Sequence, residues 1–256
     1  MKAVLITGTT SGIGKAFAEK FASEGKNIIL VARNEKKLKE QQFFLQEHYH
    51  VTVKYIAYDL TKEDSVSVIM KALAEWDIFV DVLVNNAGFN ECGYFRETDM
   101  EKELAMIDLH VRFTTKLTKS ILRNMTEIGY GRILNVGSTG SFIPSPTDVV
   151  YSATKAYIKF FSDALCGEYR KTGIKISTLC PGATQTEFAK KANISHTLLF
   201  RFVVMKPEKV VAIAYPKLLK GKRIIIPGWY NKLLIMFSKI LPISVTNRIT
   251  MMMLKQ

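Results

Sequence analysis

Tyr151 and Lys155 stand four residues apart in Tyr151-Ser152-Ala153-Thr154-Lys155, and on a helix positions i and i+4 share one face. A phenol beside an ammonium can serve as a proton donor. Free tyrosine titrates near about 10, and a neighbouring cation favours the phenolate, so the spacing predicts that Lys155 draws Tyr151 toward a value useful near neutral pH. Ser138, upstream of this pair, adds a hydroxyl able to hold a substrate carbonyl oxygen while Tyr151 protonates it. Taken singly, the same residues read as a surface lysine beside a core tyrosine and as a serine capping a turn.

Such residues need elements that bring them to one edge. The run Ala3-Val4-Leu5-Ile6 reads as a buried strand, and Thr7-Gly8-Thr9-Thr10-Ser11-Gly12-Ile13-Gly14 leads from it into a helix with Ala16, Phe17, Ala18, Phe21 and Ala22 on its apolar side. Glycines admit a phosphate close to the backbone, and the helix N-terminus offers free N–H groups and partial positive charge. This turn is predicted to cradle a dinucleotide through Gly8, Thr10, Ser11, Gly12, Ile13 and Gly14, although its spacing is G-x-x-x-G-x-G rather than G-x-G-x-x-G. A second strand, 27–32, ends at Ala32-Arg33 where an acidic residue would select the ribose hydroxyl of NAD. A guanidinium there suits a 2′-phosphate, so the predicted cofactor is NADP.

Further strands at 51–57 and 80–84 alternate with helices at 35–46 and 62–76, a pattern that argues a parallel sheet covered on both faces. Ligands bind beyond the carboxyl ends of such strands, where Asp59, Leu60 and the run Asn85-Asn86-Ala87-Gly88 fall. Asp59 is assigned to the adenine end and Asn85 to Gly88 to the cofactor cleft; an Asx turn closing each strand explains Asp59 and Asn85 equally. A helical stretch from Met100 to about Thr126 precedes a strand that delivers Ser138. A strand at 175–180 ends in Pro181-Gly182-Ala183-Thr184, and Arg223-Ile224-Ile225-Ile226 is the last strand. Segment 185–205 lacks strand character and is assigned to a substrate cover, with Leu198, Leu199, Phe200, Phe202 and Val203 as its apolar lining.

The chain has 256 residues, 48% of them hydrophobic, enough for a full core. Cys92, Cys166 and Cys180 show no C-x-x-C spacing, so reduced thiols in a cytoplasmic setting are expected, with no metal site. The first apolar run is too short for a signal peptide. The formal net charge is +13, yet from Lys209 to Gln256 there is no Asp or Glu at all. Lys232 to Leu241 is basic, apolar and broken by Pro242, too short and charged to span a bilayer. It either lies on an anionic membrane surface or packs against the body or a second subunit. The domain reading is therefore 1–228 as a catalytic unit and 229–256 as a helical apolar extension.

In this order and spacing, Thr7-Gly8-x-x-x-Gly12-x-Gly14, Asn85-Asn86-Ala87-Gly88, Ser138, Tyr151-x-x-x-Lys155 and Pro181-Gly182 closely resemble the short-chain dehydrogenase/reductase family over roughly residues 3 to 228. The resemblance implies an α/β fold, a Rossmann-type doubly wound parallel sheet of about seven strands in three α/β/α layers. It also implies catalysis by Ser138, Tyr151 and Lys155, and a homodimer or homotetramer. Carried over by position, the cofactor set also takes in Arg33, Asp59, Leu60, Asn86, Ala87, Gly88, Pro181, Gly182, Thr184 and Thr186, with Tyr151 and Lys155 gripping the ribose. Val150 to Ala156 and Ile226 to Lys232 look like a branch holding 3-oxoacyl reductases, 17-beta-hydroxysteroid dehydrogenases and the oxidoreductases named DltE. One position departs from the pattern. His110 stands where the family has an asparagine that holds a water behind the catalytic lysine; either His110 takes over that proton relay, its charge changing near pH 6.5, or it is merely packed.

The resulting expectation is NADPH-dependent reduction of a ketone on an apolar acyl-chain, steroid-like or aromatic substrate. The alternatives are oxidation of a secondary alcohol with NADP and a non-catalytic cofactor-binding scaffold; no specific nucleic acid is expected as partner.

Overall fold

The computed structural model describes residues 1–192, Thr197 and 204–254. Strand β1 (Lys2–Thr7) is buried along all but its first residue, and β2 (Ile28–Ala32) along its whole length. Alternate residues point to opposite faces of a strand. Val4, Ile6, Ile28 and Leu30 accordingly enter one core, and Ala3, Leu5, Ile29 and Val31 the other. Continuous apolar runs are thus what a sheet covered on both faces requires.

The remaining strands are β3 (Val53–Ala57), β4 (Phe79–Asn85), β5 (Gly131–Val136), β6 (Ile174–Leu179) and β7 (Ile224–Ile225). They form one parallel sheet in the order β3-β2-β1-β4-β5-β6-β7. The order reverses between β1 and β4, the crevice where such sheets bind ligands beyond their carboxyl ends.

Helices α1 (Gly12–Ser23), α2 (Glu35–Tyr49) and α3 (Ser65–Glu75) follow the first three strands. Phe17 and Phe21 of α1 are fully buried, each stabilising the fold by about 1.5–3 kcal/mol relative to exposure. The stretch from Met100 is not the single helix predicted. It comprises α4 (Met100–Ile107), a π-helical turn at Asp108–Phe113 and α5 (Thr114–Ile128). Tyr151 and Lys155 lie on α6 (Val149–Glu168).

Within the predicted cover, Glu187–Lys191 forms α7, and Thr184 bridges Met205 in parallel. The apolar residues assigned to its lining, Leu198, Leu199, Phe200, Phe202 and Val203, lie outside the described residues. Helix α8 (Pro207–Leu219) has no counterpart in the sequence reading; it packs on α1, where the Tyr215 ring meets Phe21 edge-on at 5.1 Å. Helices α9 (Trp229–Ile240) and α10 (Ile243–Leu254) make up the extension, divided at Pro242. Asn231 anchors α9 by donating to the Pro227 carbonyl at 2.7 Å. Among the described residues no helix is long and apolar enough to cross a membrane.

Candidate active site

A cavity of about 370 Å3 opens at the switch point, bordered by the glycine turn on one side and by Ser138, Tyr151 and Lys155 on the other. Gly8 has φ +70, and a Cβ there would lie 2.8 Å from the Ala87 Cα. A Cβ on Gly14 would lie 2.3 Å from the Gly8 carbonyl oxygen. These two positions let α1 start directly against the turn. Asn86 fixes the turn from behind, its amide donating to the Thr7 and Gly8 carbonyls at 2.9 and 3.0 Å.

The start of α1 has no side-chain cap. Ser11 is its N-cap but its side chain makes no capping hydrogen bond, and the buried Thr9 hydroxyl has no partner among the described residues. Unsatisfied N–H groups and the helix dipole favour a phosphate there, so the residues present fit a dinucleotide. At the end of β2, Arg33 lies 3.9 Å from Asp59, an exposed pair of little intrinsic strength. Asp59 also accepts from the Thr61 N–H and hydroxyl at 3.1 and 2.8 Å. Burial opposes its charge, yet these bonds and Arg33 hold the carboxyl below its ordinary value.

At the other end, Ser138 accepts from the Gly140 N–H at 3.1 Å, and Ser141 Oγ accepts from the Ser138 N–H. The serine is thus both the cap of a short helical turn and a wall of the cavity. Lys155 is buried and donates to the Val136 carbonyl at 2.9 Å, and burial pushes its ammonium down to about 8. Tyr151 contradicts the expectation of a lowered phenol. Burial pushes it well above its ordinary value and the Asp148 charge adds to this, while a hydrogen bond with Ser138 works the other way. The physical reason is that desolvation penalises the phenolate, while the Lys155 ammonium is turned to the Val136 carbonyl.

His110 lies in the π-helical turn, 1% exposed, its ring 5.9 Å from that of Tyr151. Thr154 donates to the Tyr151 carbonyl at 2.8 Å and lies 2.9 Å from His110 Nδ1. The Thr154 proton being spent, Nδ1 must carry the hydrogen and Nε2 is a bare acceptor without a partner among the described residues. A Cβ on Gly88 would lie 2.7 Å from Nε2, so the missing side chain makes room for the ring. Burial and then Lys155 push His110 well below its ordinary value, which corrects the expected charge change near pH 6.5: the ring stays neutral.

Of the residues singled out by sequence, Gly8, Thr10, Ser11, Gly12, Ile13, Arg33, Asp59, Leu60, Asn86, Ala87, Gly88, Pro181, Gly182, Thr184 and Thr186 border the cavity together with Ser138, Tyr151 and Lys155. Gly14 and His110 do not; the first acts through helix packing and the second lies behind the wall. Asn85 is also away from it, donating to Thr118 and Asn135 at 3.0 and 2.8 Å in a buried network that ties β4 to β5 and α5. Asn90, Asp148 and Phe188 border the cavity unforeseen. Spacing offered a signal for Asp148, one helical turn before Tyr151; Phe188, whose ring is 5.7 Å from Tyr151, carried none.

A glycine turn and a Ser-Tyr-Lys cluster thus border one crevice of a doubly wound sheet. A family model described as short chain dehydrogenase matches residues 2–196, and the chain belongs to that family. Very-long-chain 3-oxoacyl-CoA reductase of Rattus norvegicus is 37% identical over 190 residues, 73% of this chain and 60% of that protein. The chain thus spans 60% of the length of that relative. A short-chain dehydrogenase from Sphingobium yanoikuyae in complex with NADPH superposes with a TM-score of 0.84 at 31% identity, covering 90% of this chain and 89% of the other. A 7beta-hydroxysteroid dehydrogenase superposes with a TM-score of 0.88 at 27% identity, covering 97% and 96%. The family binds NAD or NADP and acts on carbonyl and alcohol groups.

Proposed function

We propose that the chain is an NADPH-dependent reductase converting the ketone of an apolar acyl chain, a 3-oxoacyl thioester foremost, into a secondary alcohol. The observation that carries this is the meeting of Ser138, Tyr151 and Lys155 in the same cavity as the glycine turn and Arg33. The 3-oxoacyl-CoA reductase relative and the NADPH-bound neighbour support substrate and cofactor. The cofactor would supply the hydride. Ser138 holds the carbonyl oxygen, Tyr151 gives that oxygen its proton, and Lys155 places its ammonium beside the phenol and the ribose hydroxyls. Gly8 to Ile13 hold the pyrophosphate, Arg33 the 2′-phosphate, and the Phe188 ring keeps water from the Tyr151 end.

Tyr151→Phe tests the assignment. NADPH binding, followed by fluorescence, should stay within a few-fold, while turnover of 3-oxoacyl thioesters falls roughly 10²–10⁴-fold. Retained turnover rejects the role of Tyr151. A panel of oxoacyl thioesters, ketosteroids and aromatic ketones, read as NADPH loss, tests the substrate class. Light scattering tests the homodimer or homotetramer.

The C-terminal helices carry the proposed membrane contact. Trp229, Leu233, Met236, Phe237 and Ile240 recur at i, i+4, i+7, i+8 and i+11, one exposed apolar face of α9. Lys232 and Lys239 are exposed on the same helix, and Val245, Ile249 and Met252 make a second exposed row on α10 beside Arg248. A surface with cations and no acidic residue is complementary to anionic lipid and repels a second copy of itself. Full-length protein should pellet with phosphatidylserine-containing vesicles at low salt and not with neutral ones, and Phe237→Glu with Ile240→Glu should abolish pelleting. Equal pelleting of the variant rejects the contact.

A further inference from the structure

Asp148 is the N-cap of α6, the position where an aspartate side chain ordinarily accepts from the first free N–H groups of the helix. Here it makes no such bond. The Asn90 side chain lies beside its carboxyl instead and favours the charged form. Both residues border the cavity, Asp148 one helical turn before Tyr151 and Asn90 on the loop after β4, and both are buried, at 8% and 7% exposure. Asp148 Oδ1 and Asn90 Oδ1 have no partner among the described residues. A buried carboxyl with an oxygen left unpaired beside a proton donor costs stability unless something else completes it.

The backbone before it shows that the placement is imposed. Thr147 has φ +66, a left-handed conformation that a β-branched residue rarely adopts. Its carbonyl is pinned by the Gly93 N–H at 2.8 Å, tying it to the loop that follows Asn90. Strain of this kind persists where the surroundings over-determine it, and it gathers at ligand clamps.

We propose that Asp148, beside Asn90, is a specificity-determining residue whose carboxyl hydrogen-bonds a second carbonyl oxygen of the substrate, one methylene from the ketone held by Ser138 and Tyr151. The substrate class so defined is the 1,3-dicarbonyl, of which a 3-oxoacyl thioester is one; this rests on the reductase reading above. Burial pushes Asp148 up to about 7, with Asn90 opposing, so the neutral form is available at physiological pH. The titratable groups against it are Tyr151 on α6 and Cys92 on the loop after β4, both pushed upward by burial, and neither ionises near pH 7.

The test compares a 3-oxoacyl N-acetylcysteamine thioester with the 2-alkanone of matching chain length, each with NADPH, and reads the ratio of their kcat/KM values. Ionisation of Tyr151 and Lys155 cancels in that ratio. In the unaltered protein it should fall about tenfold from pH 6 to pH 8, following the loss of neutral carboxyl from a group near 7. Asp148→Asn, which keeps a donor without a charge, should make the ratio independent of pH. Asp148→Ala should lower the ratio at pH 6 at least tenfold, whatever the absolute rates. A ratio flat with pH in the unaltered protein, or unmoved by Asp148→Ala, overturns the proposal, and if the alanine variant does not fold, the pH series and Asp148→Asn still decide.

Failure of the reductase reading shows differently, as no turnover of the thioester at any pH. Competition binding of a 2,4-alkanedione and the 2-alkanone to the NADPH complex then decides: equal affinities for the two, or a preference that survives in Asp148→Asn at pH 8 no better than in the unaltered protein, reject the role of Asp148.

Discussion

The two ends of the cavity are built from different materials. The end proposed to hold the cofactor is made of main chain: a glycine turn, the open start of α1 and the Pro181-Gly182 corner, with Arg33 as its exposed charge. The end proposed to hold the substrate is made of titratable side chains, the buried Asp148 and Lys155 and the half-buried Tyr151, each displaced from its ordinary value by desolvation. Backbone sites discriminate by fit and side-chain sites by protonation. Variants at the first end should therefore change cofactor affinity, and variants at the second should change pH dependence.

On cofactor affinity the largest effect is expected at Gly14. Gly14→Ala drives a methyl to 2.3 Å from the Gly8 carbonyl, which cannot move without opening the cradle. Stability should fall by about 1–3 kcal/mol in urea titration, and NADPH affinity should drop further than in any side-chain variant of the cradle. Gly167→Ala, near the end of α6 with nothing within 4 Å, is the control and should be neutral or raise stability by up to about 1 kcal/mol.

Next is Arg33→Ala, which removes a charge-assisted contact of about 1.5–3 kcal/mol. NADPH dissociation constants should rise roughly 10–100-fold while NADH binding stays level; a parallel change in both would remove Arg33 from cofactor selection.

Lys155→Met probes the other end through stability. The folded protein holds Lys155 near 8 against an ordinary 10.5, so between those values the unfolded chain binds more protons and this residue's contribution to stability rises with pH. Below about pH 8 the buried ammonium opposes folding. The methionine variant should be inactive yet more resistant to urea at pH 7, with the advantage shrinking toward pH 10. The smallest effect belongs to His110→Asn. Because burial holds the ring well below its ordinary value, the acidic limb of the pH–rate profile should be unchanged, with rates altered only a few-fold; a shifted limb would show that His110 titrates within it.

The same contrast explains what could be read before the structure. Apolar runs such as Ile28 to Ala32 and the glycine turn are local signals, since neighbours in sequence suffice to make a buried strand or a tight βα corner. The parallel sheet and the glycine turn at its edge followed from them, whereas the order of the strands did not. Helix α8 was missed although Val210, Val211, Ala214 and Leu218 are buried; Pro216 lies within it and breaks the pattern. The displacement of Tyr151 was misjudged because spacing reports proximity to Lys155 but not desolvation, which depends on residues far apart in the chain. Asn85 was misplaced for a related reason: its partners Thr118 and Asn135 are 33 and 50 residues away.

Thr147 has one more consequence. A glycine or asparagine would adopt its left-handed backbone at lower energy, by something on the order of 1 kcal/mol. Variants chosen only for heat resistance should thus drift toward Thr147→Gly, loosening the corner that aims Asp148. Selection for robustness and selection for choosiness would pull this single position in opposite directions.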